Sequence, residues 1–237
     1  MKKYFIITLI LLLISCNNKS KITITKIEGS PEYPNAKISL NELIPVPDAL
    51  SYEFSFNVSK YKLGMQTLKD FDYQLANSTK GQHIHFIVNN GPYSAHYEDT
   101  FTKKIKNENN VILAFLSRSY HESVKNSNAY VLTQIGEKKI DLDSEFLFYS
   151  RPKGTYKEKD TEKLLLDFYL VNTKLSKDGN KVRATIQDYE FIIDEWAPYY
   201  IEGLAKGEVK IKLELINKSG DLIDTPFNPS ERIVILE

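Results

Sequence analysis

The sequence predicts an all-β chain of two tandem β-sandwich domains behind an N-terminal signal segment. Three observations support this prediction. Short stretches of period-two apolar alternation recur along the chain, turn residues separate them, and the second half repeats the pattern of the first. No long stretch has the 3.6-residue apolar period of an amphipathic helix, so we expect strands throughout.

The first element is an N-terminal segment typical of secretion. Lys2 and Lys3 precede the apolar run 5–14, and Leu13-Ile14-Ser15-Cys16 closes the segment. The run is too short to cross a bilayer, which requires about 20 residues. A basic start, a short apolar run and a small residue before the cut form a secretory signal.

The four closing residues resemble the lipobox of bacterial lipoproteins. This resemblance implies cleavage before Cys16, a thioether-linked diacylglycerol on its sulfur, and acylation of the new amino group by a fatty acid such as palmitate. Each buried methylene contributes about 0.8 kcal/mol, and one chain alone holds only marginally. Three chains should therefore anchor the protein to a membrane almost permanently.

Composition limits the classes of partner. The chain has 237 residues with 31 basic and 31 acidic side chains, and loss of Lys2 and Lys3 leaves 29 basic against 31 acidic. This balance provides no basic footprint for nucleic acid. Cys16 is the only cysteine, so lipidation leaves no thiol for a disulfide or a thiolate metal site.

The alternating stretches give the expected strands in chain order. In the first half they are Ile22–Ile24, Tyr52–Val58, Ile84–Val88 and Val111–Phe115. In the second half they are Leu164–Phe168, Val182–Ile186, Val209–Leu215 and Ile233–Ile235. Turn residues at 89–91, 178–180 and 219–221 separate several of them, as in a β-sandwich.

The two halves match at a constant offset of 98 residues. Gly81 falls on Gly179, and two strands align without a gap. These are Ile84, Phe86 and Val88 on Val182, Ala184 and Ile186, and Val111, Leu113 and Phe115 on Val209, Ile211 and Leu213. The repeat predicts two related immunoglobulin-like sandwiches. The expected segments are a signal peptide at 1–15, the lipidated Cys16 and tether at 16–36, a first domain at 37–128, a linker at 129–142 and a second domain at 143–237.

One predicted strand is apolar on both faces. The strand 111–116 carries Ile112, Ala114 and Leu116 where the strand 209–215 carries charged residues. We expect the second face to contact the second domain or the insertion at about 60–80. An exposed ligand groove is the alternative.

All four histidines, His83, His85, His96 and His121, lie in the first copy. Side chains alternate along a strand, so His83 and His85 share the face opposite Ile84. The offset of 98 places Lys181, Arg183, Asp194 and Ser219 at the histidine positions of the second copy, so the fold does not require histidine there.

Two interpretations of the histidines follow. Imidazoles about 6–7 Å apart on one strand can chelate zinc or copper, with His96 from a neighbouring strand as the third ligand. Alternatively, His83 and His85 are solvent-facing or hydrogen-bonded polar residues on the outer sheet face. The loop 117–123, with Arg118, Tyr120 and His121, is either an anion-binding loop or a hydrogen-bonded loop.

No catalytic constellation is present. The sequence contains no Gly-rich phosphate loop, no His-Glu-x-x-His and no Gly-x-Ser-x-Gly motif. We therefore predict no catalytic residues and no enzymatic activity.

Two segments, Gly81–Tyr93 and Ala114–Ser123, are similar to poorly characterised lipoproteins of Bacteroidota, some of which carry an automatic label of phosphopeptide-binding protein. The resemblance implies no catalytic residue. In that phylum, surface export is associated with acidic residues after the lipidated cysteine. Asn17-Asn18-Lys19 lacks them, which favours an outer-membrane anchor that faces the periplasm.

The sequence thus predicts a lipid-anchored, non-enzymatic binding or assembly module of the bacterial cell envelope. Its ligand would be a protein or a small polar molecule, with no cofactor and no nucleic acid. The candidate ligand-binding residues are His83, His85, His96, Arg118, Tyr120 and His121, together with the 60–80 loop. The alternative is a periplasmic zinc- or copper-binding protein that uses His83, His85 and His96.

Overall fold

The structure, a computed structural model, describes residues 21–47, 50–68, 74–106 and 108–237. Regular structure in these residues consists of strands and one short 3-10 turn, which confirms the all-β prediction. The described part of the chain contains no helix with the length and apolarity to cross a membrane. The predicted signal peptide and Cys16 lie outside the described residues.

The strands are numbered in chain order. The first eight are β1 (Thr23–Lys26), β2 (Lys37–Pro45), β3 (Ser51–Ser59), β4 (His83–Val88), β5 (Ser94–His96), β6 (Thr100–Lys104), β7 (Asn110–Ser117) and β8 (Tyr130–Ile135). The next eight are β9 (Phe146–Arg151), β10 (Thr155–Tyr156), β11 (Lys163–Val171), β12 (Lys181–Ile186), β13 (Tyr189–Ile193), β14 (Tyr199–Glu202), β15 (Gly207–Ile216) and β16 (Ser230–Leu236). The 3-10 turn Glu158–Thr161 precedes β11.

The first sandwich consists of the sheets β2-β3-β6 and β5-β4-β7-β8. Their apolar faces enclose a core in which the Phe54 and Phe86 rings meet edge to face at 4.7 Å. Ile84 also points into this core, because period-two alternation puts it on the same face of β4 as Phe86. His83, His85 and Ile87 therefore lie on the outer face of this sheet.

The second sandwich repeats this arrangement. The order β9-β11-β14 matches β2-β3-β6, and the order β13-β12-β15-β16 matches β5-β4-β7-β8. Two further edge strands, β1 and β10, belong to the second sandwich alone. Val182, Ala184 and Ile186 of β12 face its core, as their counterparts in β4 do. The predicted pair of tandem sandwiches is present.

Two predicted boundaries are corrected by strand pairing. The expected tether, 16–36, contains β1, which pairs antiparallel with β14 of the second sandwich. The expected linker, 129–142, contains β8, which pairs with β7 and completes the first sandwich. β1 pairs with a strand that is distant in sequence, which no local pattern indicates, whereas β8 pairs with the strand directly before it.

The gapless offset of 98 also requires a correction. Strands β4 and β12 follow this offset, since Ile84 and Val182 are 98 residues apart. Their partners in the neighbouring strands, Leu116 and Leu215, are 99 residues apart. Strands β7 and β15 therefore align at an offset of 99. The core-facing residues that correspond are Ile112, Ala114 and Leu116 in β7 and Ile211, Leu213 and Leu215 in β15. Because β7 is apolar on both faces, its sequence aligns with the apolar positions of β15 at either offset, and the one-residue shift cannot be seen in the sequence.

The second sandwich covers the outer face of β7. Leu113 and Phe115 pack against β9 and β11, and the Phe115 and Tyr169 rings stack at 4.6 Å. The four sheets thus form four layers, with the histidine-bearing sheet in an inner position. In the second copy, the matching face of β15 is lined with charge, and Lys210 pairs with Glu231 at 2.9 Å. The expected contact with the second domain explains why β7 is apolar on both faces.

Candidate metal centre between the sandwiches

His83 and His85 extend from β4 towards the second sandwich. Both side chains are fully buried, because β9 of the second sandwich covers this face of the sheet. His85 Nδ1 lies 3.2 Å from the hydroxyl oxygen of Ser150, a β9 residue. The shared face of the two histidines was predicted, but the solvent-facing interpretation is wrong, since the interface between the domains encloses both rings.

His121 reaches the same place from the turn that follows β7. Its amide donates to the carbonyl of Arg118 at 2.9 Å, and the amide of Arg118 donates to the carbonyl of Glu122 at 2.9 Å. His121 has a φ of 70°, in the left-handed region that non-glycine residues rarely adopt. The backbone of this turn therefore directs the imidazole into the interface.

The second copy contains the same turn with a glycine at this position. Gly220 donates to the carbonyl of Asn217 at 3.0 Å, Asn217 donates to that of Asp221 at 2.9 Å, and the φ of Gly220 is 90°. His121 thus corresponds to Gly220, one residue beyond the Ser219 that the offset of 98 indicated. Glycine adopts this conformation freely, whereas histidine is strained there by about 1 kcal/mol or more.

Three ring nitrogens converge at this point. His83 Nε2 lies 3.0 Å from His85 Nε2 and 3.1 Å from His121 Nδ1. One nitrogen of each ring lies within 4.8 Å of the other two. Tetrahedral zinc with bonds of about 2.0–2.1 Å holds its nitrogen ligands about 3.3–3.4 Å apart. The two spacings from His83 Nε2 need to widen by a few tenths of an ångström, and the third, which is within 4.8 Å, must reach the same value, for the rings to enclose a metal ion.

The hydrogen bond on the far side of His83 fixes its tautomer. His83 Nδ1 lies 2.8 Å from the carbonyl oxygen of Gly81, which can only accept, so Nδ1 carries the proton. Nε2 then presents a lone pair to both His85 and His121. This single lone pair can accept one good hydrogen bond. Without a metal ion, one of the two short contacts of His83 Nε2 therefore has no well-formed hydrogen bond. A metal ion at the centre would accept all three lone pairs.

His96 does not belong to this cluster, contrary to prediction. It pairs with Ile84 across β4 and β5 and therefore shares the core-facing side of the sheet. Its ring stacks on Phe101 at 3.4 Å, and its Nε2 lies 2.9 Å from the Ser94 hydroxyl oxygen. In the second copy the corresponding residue is Ile193, which pairs with Val182. His121 replaces His96 as the third candidate ligand.

Arg118 and Tyr120 lie in the same loop as His121 but are committed to other contacts. The Arg118 guanidinium pairs with Glu122 at 2.8 Å and donates to the carbonyl oxygen of Pro31 at 3.0 Å. The buried Tyr120 hydroxyl donates to Ser30 at 3.1 Å. The loop is therefore the hydrogen-bonded element of the second interpretation, and Arg118 and Glu122 also line an open cleft.

Burial keeps the three imidazoles neutral. It lowers the pKa of His83 to about 4, with smaller contributions from Arg151 and Lys153. Burial also lowers the pKa of His85 and His121 far below the usual value, and neighbouring histidines and cations add to the effect. Neutral imidazole is the form that binds metal, so the rings need not lose a proton to act as ligands near neutral pH.

Residues of both domains surround the cluster. The Tyr93 hydroxyl lies 3.2 Å from His121 Nδ1, and its ring stacks on His85 at 3.5 Å. From the second sandwich, Lys153 Nζ lies 3.9 Å and the Arg151 guanidinium carbon 5.3 Å from the centroid of the Tyr93 ring. Sequence patterns did not associate Arg151 and Lys153 with the histidines, because only the docking of the two domains brings them together.

Comparison with known proteins finds distant structural similarity and shows no family. The sequence matches no protein-family model, and comparison with curated proteins finds no relative. The fibronectin(III)-like modules of Clostridium thermocellum CbhA are similar over 84% of this chain and 94% of theirs, with 9% identity and a TM-score of 0.31. The two tandem V-type regions of VCBP3, a v-region-containing chitin binding protein, are similar over 91% and 99%, with 8% identity and a TM-score of 0.24.

Proposed function

We propose that this chain is a lipid-anchored, non-enzymatic binding module of the bacterial cell envelope that holds one zinc or copper ion. His83 Nε2, His85 Nε2 and His121 Nδ1 are the ligands. The observation that carries the proposal is the approach of His83 Nε2 to 3.0 and 3.1 Å from the other two nitrogens, at the buried interface between the sandwiches.

The chemistry of the ligand set supports zinc or copper. Both metals accept imidazole nitrogen, and three protein ligands leave a fourth position for a small molecule or a side chain. The Gly81 carbonyl orients His83, and such outer partners commonly fix the rings of metal-binding histidines. The cluster contains no carboxylate, which disfavours calcium and magnesium.

The strain at His121 gives independent support. The turn is fully formed with glycine in the second copy, so the fold gains nothing from an imidazole at this position. Residues in strained backbone conformations, at positions where glycine would be unstrained, are concentrated at functional sites. A metal ligand is a role that only the side chain can supply.

The anchor would place this site close to the membrane. Six residues separate Cys16 from β1, and a fully extended chain spans at most about 3.3–3.6 Å per residue. Because β1 belongs to the second sandwich, that domain would be held within about 25 Å of the lipid. Replacement of Cys16 by serine should move the protein from the membrane fraction to the soluble fraction, and unchanged partition would contradict the anchor.

The metal content of purified protein tests the site. The mature chain, prepared without a histidine tag, is loaded with Zn²⁺ or Cu²⁺ in separate samples, desalted and analysed by mass spectrometry of the metals. The unmodified chain and His96→Ile should retain about one equivalent of one metal, whereas His83→Gln should retain less than about a tenth. An unmodified chain that retains less than about a tenth of both metals would exclude the metal centre.

A further inference from the structure

Three cations beside the interface between the sandwiches have no anionic partner, and two of them, Arg151 and Lys153, lie near the histidines. Arg151, Lys153 and Arg232 belong to the second sandwich, and none of them forms an ion pair with a carboxylate of the described residues. Lys153 Nζ donates to the carbonyl of Tyr93 at 2.9 Å. Arg232 donates to three backbone carbonyls, those of Ser150, Asn90 and Gly91. These bonds satisfy donors but leave the positive charges uncompensated.

Arg151 is the least satisfied of the three. Its residue surface is 9% exposed, one terminal nitrogen donates to the Tyr156 hydroxyl at 2.9 Å, and the guanidinium also has the Tyr93 hydroxyl as a hydrogen-bond partner. Its Nε is buried and has no hydrogen-bond partner within the described structure. Arginine is rarely buried without a paired anion, because desolvation of the guanidinium is costly. The open Nε therefore indicates a missing acceptor.

A small cavity connects this guanidinium with the histidine cluster. Arg151 and His121 both line it, and it has room for about one water-sized species. Its other lining residues are Leu75, Ala76, Tyr120, Tyr156, Lys163 and Leu165. Any occupant would thus contact both the cation and one of the proposed metal ligands.

We propose that this cavity is a subsite for a small monatomic anion such as chloride or bromide. The inference rests on the proposed metal function and extends it to the fourth ligand. A divalent ion would enter a site with three neutral ligands and two nearby cations, without any carboxylate. An anion between the metal and Arg151 compensates this charge, so binding of metal and binding of anion reinforce each other.

Zinc affinity in two buffers tests the coupling. Dissociation constants are measured by competition with a chromophoric chelator, in sodium chloride and in sodium gluconate of equal ionic strength, since gluconate is too large for the cavity. The unmodified chain should bind zinc about tenfold more tightly in chloride. Arg151→Met should lose this difference and bind zinc in gluconate at least as tightly as the unmodified chain, because a repulsive charge is gone.

Arg183→Met is the matched control. Arg183 occupies the position of His85 in the second copy and pairs with Glu214 at 2.9 Å, away from the cluster. This variant should keep the full dependence on chloride. Equal zinc affinity of the unmodified chain in both buffers, or a chloride dependence that survives Arg151→Met, would overturn the anion subsite while leaving the metal centre intact.

A measurement without metal and without variants separates the two proposals. The metal-free unmodified chain should broaden the chlorine NMR signal of chloride, and bromide should reverse the broadening. If no metal binds but this broadening is seen, the proposed function fails and the anion subsite stands. If neither bromide-reversible broadening nor a chloride-dependent zinc affinity is found, the subsite is wrong.

Discussion

His121 and Gly220 occupy the same position of the same turn in the two sandwiches, with φ values of 70° and 90°. The flanking hydrogen bonds match, at 2.9 and 2.9 Å in the first copy and 3.0 and 2.9 Å in the second. The duplication therefore provides an internal reference for this site. One copy has the residue that the backbone favours, and the other has an imidazole that meets two further histidines.

The strain at His121 can be measured with a pair of truncations. His121→Gly and His121→Ala both remove the ring, but only alanine retains a Cβ in the left-handed conformation. We expect His121→Gly to have the higher free energy of unfolding, by about 1 kcal/mol, in urea titrations with a chelator present. Both variants should fail to retain metal.

Gly220→Ala is the control for this comparison. A Cβ at Gly220 would meet no heavy atom within 4 Å, so the substitution adds backbone strain and little else. It should lower the free energy of unfolding by about 1 kcal/mol and leave the metal content unchanged. Equal stabilities of the two His121 variants would show that the turn does not strain the histidine.

Docking of the two sandwiches depends on the apolar outer face of β7. Leu113 is buried there, and the equivalent position of β15 is Lys212, which pairs with Thr185 as Leu113 pairs with Ile87. Leu113→Lys places an unpaired charge in the interface, which should cost several kcal/mol and separate the domains. Small-angle X-ray scattering should show an increased radius of gyration.

The reciprocal variant serves as the control. Lys212→Leu changes the charged face of β15 in the opposite direction and removes one ion pair, with Glu214, so the radius of gyration should remain that of the unmodified chain and the stability should change by about 1 kcal/mol or less. A Leu113→Lys variant with unchanged radius and unchanged stability would show that this face does not hold the domains together.

His96 should make the stability of the protein sensitive to acid. Burial lowers its pKa to about 4, below the value of about 6.5 in the unfolded chain. The unfolded state therefore binds more protons between these values, and stability falls as the pH decreases from 6.5 towards 4. His96→Ile, which introduces the residue type of the second copy, should lose less stability than the unmodified chain between pH 7 and pH 5.

Urea titrations at the two pH values check this expectation. The buried His83 and His85 and the half-buried His121 act in the same direction, so His96→Ile should retain part of the pH dependence. An identical loss of stability in both proteins would contradict the assigned environment of His96.

A buried ion pair provides a second link between the domains. Asp167 of β11 is fully buried and lies 2.5 Å from Lys125 Nζ and 3.0 Å from the Ser123 hydroxyl, both in the segment that leads to β8. Asp167→Ala leaves the lysine without a partner and should lower the free energy of unfolding by about 3–5 kcal/mol. Asp178→Ala, in an exposed turn, should change it by less than about 0.5 kcal/mol. Similar losses for both variants would argue against this link.

Local alternation was sufficient to predict part of the site. Ile84 and Phe86 identify the core face of β4, so the shared face of His83 and His85 follows from their positions in the sequence. The position of His96 does not follow in this way. It depends on the register of the pairing between β4 and β5, which no local pattern specifies.

The remainder of the site depends on tertiary structure. The equivalence of His121 and Gly220 requires the one-residue shift of β15, which the apolar second face of β7 concealed. Arg151 and Lys153 approach the histidines only because the two sandwiches pack face to face. The contrast between the charged outer face of β15 and the apolar outer face of β7 was the signal in the sequence that another part of the protein covers β7.

The most direct test of the metal centre is an NMR measurement of the four histidine rings. Long-range proton–nitrogen spectra are recorded before and after addition of one equivalent of Zn²⁺ to the metal-free chain. We predict that His83 Nε2, His85 Nε2 and His121 Nδ1 shift to values typical of metal-bound nitrogen, while both nitrogens of His96 keep their positions. Unchanged signals for the three clustered nitrogens, or a metal-bound signal from His96, would contradict the account.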